Sequence, residues 1–93
     1  MELKVSWTKR AKNNYIKILG YIGEEFGDKP GLQYHQRVEN LIQLLRTFSE
    51  LGVKQDTAGN LRGIILYRRT TIFYTYNRET LKIVNVVDNR WKH

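Results

Sequence analysis

The spacing of hydrophobic residues predicts that the chain begins with a short strand and a helix. Polar and apolar residues alternate at the N-terminus, which places Leu3, Val5 and Trp7 on one face of a half-buried strand. Thr8 can then cap a helix by accepting a hydrogen bond from a backbone amide of the first turn. Apolar residues recur at helical spacing until the neighbourhood of Gly27, and they are Ala11, Tyr15, Ile18, Ile22 and Phe26.

A second helix is predicted to restart at Asp28 or Lys29. Pro30 follows, and proline is well tolerated in a first helical turn because the missing amide hydrogen has no partner there. The apolar stripe of this helix consists of Tyr34, Val38, Leu41, Leu45 and Phe48. Two amphipathic helices joined by so few residues are expected to pack as an antiparallel hairpin that covers one face of a sheet.

Three further strands are predicted after a loop at 49–60, where the apolar periodicity stops. They are rich in β-branched and aromatic residues, and they span Leu61–Tyr67, Ile72–Tyr76 and Leu81–Asp88. We expect an antiparallel meander whose last strand lies near the sheet centre because it is apolar on both faces. The first strand must pair within the same sheet. The predicted fold class is α+β: a small antiparallel sheet packed against an N-terminal helical hairpin, in the order β-α-α-β-β-β, as a single domain over residues 1–93.

Composition restricts the kinds of function that the chain can have. It has no cysteine and two isolated histidines, so the sequence predicts no metal site and no cofactor. No apolar run is long enough to cross a bilayer and no signal-peptide pattern opens the chain, which predicts a cytoplasmic protein without a membrane partner. The formal net charge of +7 indicates an acidic partner, either a nucleic acid or a protein.

The positive charge is concentrated in the last third of the chain. From residue 61 onward the only acidic residues are Glu79 and Asp88, whereas the basic residues are Arg62, Arg68, Arg69, Arg78, Lys82, Arg90 and Lys92. Arginine forms paired, charge-assisted hydrogen bonds to phosphate or carboxylate, so we expect function in this segment. Asp88 has a simpler alternative role, which is to pair with a neighbouring arginine.

The position of each arginine changes its interpretation. Arg68 and Arg69 fall in a predicted turn, where solvation is the competing explanation. Arg62 and Arg90 lie near strand ends, which hold a side chain more firmly. Among the aromatic residues, Trp91 follows the last strand and is the best candidate for an exposed base-stacking ring.

Most of the remaining aromatic and histidine residues are assigned structural roles. Alternation sends Tyr74 and Tyr76 to one face of the sheet and Phe73 to the other, so at least one set is expected to pack beneath the helices. His35 lies off the apolar stripe of its helix and is interpreted as a partly exposed helix residue. His93 is the final residue, and we expect it to be unconstrained rather than catalytic.

Five short segments, in their order and spacing, carry a resemblance to a known family. They are Val5-Ser-Trp-Thr-Lys-Arg-Ala11, Tyr21-Ile22 before Phe26-Gly27, Gly59-Asn-Leu-Arg62, Ile72-Phe-Tyr74 and Val86-Val-Asp-Asn-Arg90. Together they resemble the RelE/ParE superfamily of bacterial toxins, the toxic halves of type II toxin–antitoxin pairs. The resemblance implies a small sheet backed by a helical hairpin and a cognate antitoxin that wraps the toxin with an extended, often acidic segment.

The two branches of this superfamily imply different targets. ParE-like members inhibit DNA gyrase, whereas RelE-like members cut messenger RNA on the ribosome. Arg90 matches the arginine that holds the scissile phosphate in RelE-like toxins, and Arg62 matches one that begins the second strand in many ParE-like sequences. If the chain is a ribonuclease, these two are the catalytic candidates. The wider set of target- or phosphate-binding candidates is Arg62, Arg68, Arg69, Arg90, Trp91 and Lys92.

Departures from the RelE-like pattern favour the ParE-like branch. RelE-like toxins commonly carry an arginine where Thr71 stands, and further lysines where only Lys54 precedes the second strand. The set of proton-transfer residues is therefore incomplete, although the ribosome could supply missing chemistry. The sequence leaves three functions open: a gyrase inhibitor, which we favour, a ribosome-dependent messenger RNA endonuclease, and an inactive relative that only binds its antitoxin or DNA.

Overall fold

A computed structural model of the chain describes residues 2–56 and 59–91, without the side chain of Trp91. Its elements are β1 (Lys4–Trp7), α1 (Lys9–Phe26), α2 (Asp28–Thr47), β2 (Val53–Lys54), β3 (Arg62–Leu66), β4 (Thr70–Tyr76) and β5 (Thr80–Asp88). Short 3₁₀ turns lie at Ser49–Leu51 and Asn89–Trp91. The predicted α+β class, with a helical hairpin preceding the main strands, is confirmed.

The five strands form one sheet in the order β1-β5-β4-β3-β2. The β3–β4–β5 meander is antiparallel, and β5 has a neighbour on each side, as predicted. Two details differ from the expectation. β1 is parallel to β5, so the sheet is mixed, and β2 lies inside the segment expected to be a loop. The period of a strand carries no information on its direction, and two residues are too few to show a period.

Two local features position α1 and α2 on the sheet. The amide of Ala11 donates to Oγ1 of Thr8 at 3.0 Å, which confirms the predicted cap. The same hydroxyl donates to the carbonyl of Val84 in β5 at 2.8 Å and so fixes the start of α1 on the sheet. Gly27 is the single residue between the helices, and its φ of 97° lies in the left-handed region that favours glycine. The chain can therefore reverse within one residue.

The core lies between the helical hairpin and the inner face of β3–β5. Its fully buried members include Ile18, Val38, Leu45, Ile72, Tyr74, Leu81 and Ile83. Tyr74 points inward and Phe73 lies on the outer face, as alternation predicts. In the described residues, neither helix is apolar enough to span a membrane. The described part of the chain also contains no group of three or more acidic or histidine side chains placed to hold a metal ion.

Two aromatic residues that were predicted to belong to the helical stripes are exposed instead. Phe48 is 58% exposed because it follows the last residue of α2 with non-helical φ and ψ, so helical spacing no longer sets its direction. Phe26 ends α1 and is 52% exposed, with its ring edge-to-face against Tyr21. Ile42, which was not assigned to the stripe of α2, is buried there.

Candidate functional site

A cleft of about 420 Å³ separates the helical hairpin from the β3–β4 turn. The end of α1, the first turns of α2, the β3–β4 turn and the end of β5 form its walls. The lining residues are Ile22, Phe26, Pro30, Gln33, Tyr34, Arg37, Leu66, Tyr67, Arg69, Thr70, Asp88 and Arg90. Three of these side chains are arginines and only one is a carboxylate. We refer to this surface as the basic cleft.

Arg90 is held in the basic cleft by Asp88. Its Nη2 donates to Oδ2 of Asp88 at 2.8 Å and its Nε to Oδ1 at 3.2 Å. The backbone amide of Arg90 donates to Oδ1 as well, at 2.9 Å. The guanidinium also lies 5.2 Å from the ring centroid of Tyr21. Asp88 is only 2% exposed, so the predicted alternative, pairing with a neighbouring arginine, is what the structure shows.

The ion pair stabilises the charged form of both partners. Burial by itself raises the pKa of Asp88, but the hydrogen bonds and charge of Arg90, with a smaller effect from Arg69, lower it below its usual range. The hydrogen bond to Asp88 raises the pKa of Arg90. Both groups are charged at neutral pH, and the positive charge of Arg90 is offset by the carboxylate beside it.

Arg62 does not line the basic cleft. Its Nη1 donates to the carbonyl of Gly52 at 2.7 Å and to that of Glu50 at 3.2 Å. The hydroxyl of Tyr74 binds the same segment, since it donates to the carbonyl of Ser49 at 2.7 Å and accepts from the amide of Gly52 at 2.8 Å. Arg62 therefore fastens the segment before β2 to the end of the sheet.

The β3–β4 turn has an unusual backbone. The amide of Arg69 donates to the carbonyl of Leu66 at 3.1 Å, and the two central residues, Tyr67 and Arg68, have φ values of 52° and 64°. These φ values are those of a type I′ turn, which asparagine and glycine normally occupy. A left-handed conformation costs a residue with a side chain about 1–2 kcal/mol. The turn presents Tyr67 to Arg37, whose guanidinium lies 4.6 Å from the ring centroid.

The arginines in and near the basic cleft differ in whether their side chains form ion pairs and hydrogen bonds within the protein. Arg69 and Arg37 make no ion pair or side-chain hydrogen bond to any residue within 2–56 and 59–91. Arg68 is exposed at the tip of the turn, outside the lining. The structure thus brings together Arg69 and Arg90 from the predicted set. Lys92 and His93 fall outside the described residues, as does the side chain of Trp91.

Sequence reasoning missed Arg37, Tyr67 and Tyr34 as lining residues. The spacing of Arg37 three residues after Tyr34 places both on one side of α2, and this was the available signal. The hydroxyls of Tyr34 and Thr70 are hydrogen-bonded to each other, and burial raises the pKa of Tyr34. His35 lies outside the lining and is hydrogen-bonded through Nδ1 to the hydroxyl of Tyr15 at 2.7 Å.

The chemistry of the lining residues suits binding better than proton transfer. The titratable side chains among them are arginines, tyrosines and Asp88. Arginine keeps its proton in proteins, and Tyr34 is a weaker acid than usual because it is buried. Asp88 has a lowered pKa and its oxygens are occupied by Arg90. The described lining therefore contains no group poised to exchange a proton near neutral pH.

Comparisons with known proteins agree with this architecture. The complete fold resembles that of a chain in the chromosomal ParDE toxin–antitoxin system from P. aeruginosa, with a TM-score of 0.77 and 15% identity over 94% of this chain and 96% of the other. It also resembles a chain of the E. coli DinJ-YafQ toxin–antitoxin complex, with a TM-score of 0.64 and 10% identity over 97% of this chain and 96% of the other. The comparison with curated proteins finds no match.

The family comparison is more specific than the structural one. The family model described as the ParE toxin of the type II toxin–antitoxin system parDE matches residues 5–90. That range includes both helices, strands β2 to β5, β1 except its first residue, and every lining residue of the basic cleft. The chain therefore belongs to the ParE toxin family and is a ParE-like toxin of a type II toxin–antitoxin system.

Proposed function

We propose that this toxin arrests growth in the cytoplasm by binding DNA gyrase, and not by cutting messenger RNA. The observation that carries the proposal is the ion pair between Arg90 and Asp88. In a RelE-like ribonuclease the corresponding arginine holds the scissile phosphate. Here both carboxylate oxygens of a buried aspartate already bind that guanidinium, and a phosphate would have to compete with them.

The other requirements of RNA cleavage support the same proposal. Removing the 2′-hydroxyl proton needs a base, and the leaving oxygen needs an acid. The described lining of the basic cleft offers neither near neutral pH. Arg62, the second catalytic candidate, is engaged with two backbone carbonyls and lies outside the cleft. Inhibition through protein contact requires none of these groups.

A cognate antitoxin is the second partner in this proposal. The chain carries a net charge of +7, and the similar structures come from toxin–antitoxin complexes. An acidic protein segment complements such a surface and is attracted to it over a distance of about 10 Å at ordinary ionic strength. The toxin is therefore expected to be inactive when its antitoxin is in excess.

Inducible expression in a susceptible bacterium tests the target. Plasmid supercoiling and messenger RNA 5′ ends are followed over the same minutes, and purified toxin is added to a gyrase supercoiling reaction. We expect supercoiling to be lost while messages remain intact. New 5′ ends that depend on the ribosome, together with normal supercoiling, would show an endonuclease, and Arg90→Ala would then be expected to abolish cleavage. Growth without arrest would show an inactive relative.

A further inference from the structure

We propose that the basic cleft is the docking site for a segment of the antitoxin that presents a carboxylate next to a large apolar side chain. The inference rests on the antitoxin partner proposed above and is independent of the gyrase target. The lining residues come from both the helical hairpin and the sheet, so one short segment could contact both layers of the toxin.

The positive charges of the basic cleft favour a carboxylate on the partner segment. Of the cleft's three guanidinium groups, that of Arg90 is offset by Asp88, whereas those of Arg37 and Arg69 form no direct ion pair with an acidic side chain in the described residues. Arg69 lies near enough to Asp88 to lower the pKa of that carboxyl, which places its charge at the same end of the cleft. A partner carboxylate can bind Arg69 with paired hydrogen bonds, as arginine geometry favours.

The apolar lining residues favour a partner segment in which a large apolar side chain lies next to the carboxylate. Ile22, Phe26 and Leu66 line the cleft together, and more than half of the Phe26 side chain is open to solvent although its helix is amphipathic. A cleft of about 420 Å³ can take one leucine or aromatic side chain together with a carboxylate. Burying such a side chain contributes a hydrophobic component to binding that the ion pairs by themselves lack.

The same geometry makes nucleic acid the less favourable occupant. The apolar side chains of Ile22, Phe26 and Leu66 in the lining have no counterpart on a sugar–phosphate backbone, whereas a protein segment can bury an apolar side chain against them. The Arg37 guanidinium is stacked over the Tyr67 ring at one side of the cleft.

This contact holds both side chains in place before an antitoxin segment binds, which reduces the entropic cost of ordering them on binding.

The test measures antitoxin affinity in matched charge-reversal variants. The probe is the cognate antitoxin, separated from the co-expressed complex and titrated calorimetrically against refolded toxin. Arg69→Glu is compared with Arg78→Glu, which makes the same charge change on an exposed residue outside the cleft. We expect Arg69→Glu to weaken binding at least tenfold more than Arg78→Glu does. Circular dichroism and melting temperature establish that each variant is folded.

Two milder variants keep the test decisive if charge reversal disturbs folding. Arg69→Gln should weaken antitoxin binding and reduce its dependence on salt relative to the wild type, because one ion pair is lost. Tyr67→Leu should also weaken antitoxin binding, because it removes the ring under the Arg37 guanidinium. Equal affinities for the Arg69 and Arg78 variants would overturn the proposal. The proposal would also be overturned if the Arg69 variants bound the antitoxin with unchanged affinity but no longer arrested growth, because the cleft would then bind the target instead.

The outcome does not depend on which target the toxin has. Antitoxin affinity is measured with purified proteins, whereas the gyrase proposal is tested by supercoiling. A toxin that fails to inhibit gyrase could still bind its antitoxin through Arg69, and a gyrase inhibitor could still bind it elsewhere. The two failures are therefore distinguishable.

Discussion

Asp88 and Arg90 are joined by two side-chain hydrogen bonds, of 2.8 and 3.2 Å, although only one residue separates them. The pair sits where β5 gives way to a 3₁₀ turn, and it fixes the direction of the guanidinium at one end of the basic cleft. Arg90, which the resemblance to RelE-like toxins would assign to phosphate binding, therefore binds a carboxylate of its own chain. Its contribution to stability can be measured directly.

Replacing Asp88 should destabilise the fold in a pH-dependent way. We expect Asp88→Asn to lower the unfolding free energy by about 2 kcal/mol at pH 7, because the charged hydrogen bonds between the buried carboxylate and Arg90 are lost. The pKa of Asp88 is lower in the folded than in the unfolded protein, so its contribution is fully present above about pH 4 and disappears as the pH falls further.

Urea denaturation at pH 7 and at pH 3 measures this effect. The difference between wild type and Asp88→Asn should shrink at the lower pH. The matched control is Glu79→Gln, an exposed position where we expect a change of less than about 0.5 kcal/mol. A difference that grows on acidification would contradict the lowered pKa.

Removing the Tyr74 hydroxyl should loosen the segment before β2. Tyr74→Phe keeps the ring in the core but leaves the buried amide of Gly52 without its acceptor. We expect a loss of about 1–3 kcal/mol in unfolding free energy, because an unsatisfied buried donor keeps its full desolvation cost. Faster hydrogen exchange of the Gly52 amide is the local measurement, and unchanged exchange would show that the bond is unimportant.

Arg62 should be energetically coupled to Tyr74. Both side chains hold Gly52, one through its carbonyl and the other through its amide. Arg62→Ala should cost about 1–2 kcal/mol, whereas Arg78→Ala at an exposed site should change stability by less than about 0.5 kcal/mol. A double-mutant cycle of Arg62→Ala with Tyr74→Phe should give a coupling above about 0.5 kcal/mol, and strict additivity would contradict the shared clamp.

The β3–β4 turn should become more stable when glycine replaces Arg68. The positive φ of Arg68 is strained for a residue with a side chain, and relief of that strain is expected to outweigh the extra flexibility of the unfolded chain by about 0.5 kcal/mol. The comparison is Arg78→Gly in the β4–β5 turn, where φ is not positive and only the entropic penalty remains. Thermal melting should therefore shift in opposite directions for these two variants.

The helices and the meander could be predicted because their signals are local. The stripe from Ala11 to Ile22 and the alternation around Tyr74 each repeat several times, and the structure buries the expected faces. Phe48 could not be placed from spacing because it lies just past the end of α2. The two residues of β2 carry no pattern that distinguishes a strand from a loop.

The ion pair between Asp88 and Arg90 could be predicted from the sequence, whereas the rest of the basic cleft could not. Asp88 and Arg90 are neighbours in sequence, so pairing required only local geometry. Arg37 and Tyr67 are thirty positions apart, and their contact depends on how α2 packs against a turn whose φ values no propensity favours. Residues that meet only through tertiary packing leave little trace in a single sequence.

The parallel pairing of β1 with β5 also determines when the toxin can become complete. Lys4 leaves the ribosome early, but its register partner Thr80 belongs to β5, which is synthesised much later together with Asp88, and Arg90 follows in the turn after that strand. β1 cannot gain its neighbour in the sheet, and the basic cleft cannot acquire the Asp88 carboxylate, until β5 has been synthesised. The N-terminal strand and the helical hairpin are therefore made well before the segment that completes the sheet and the cleft.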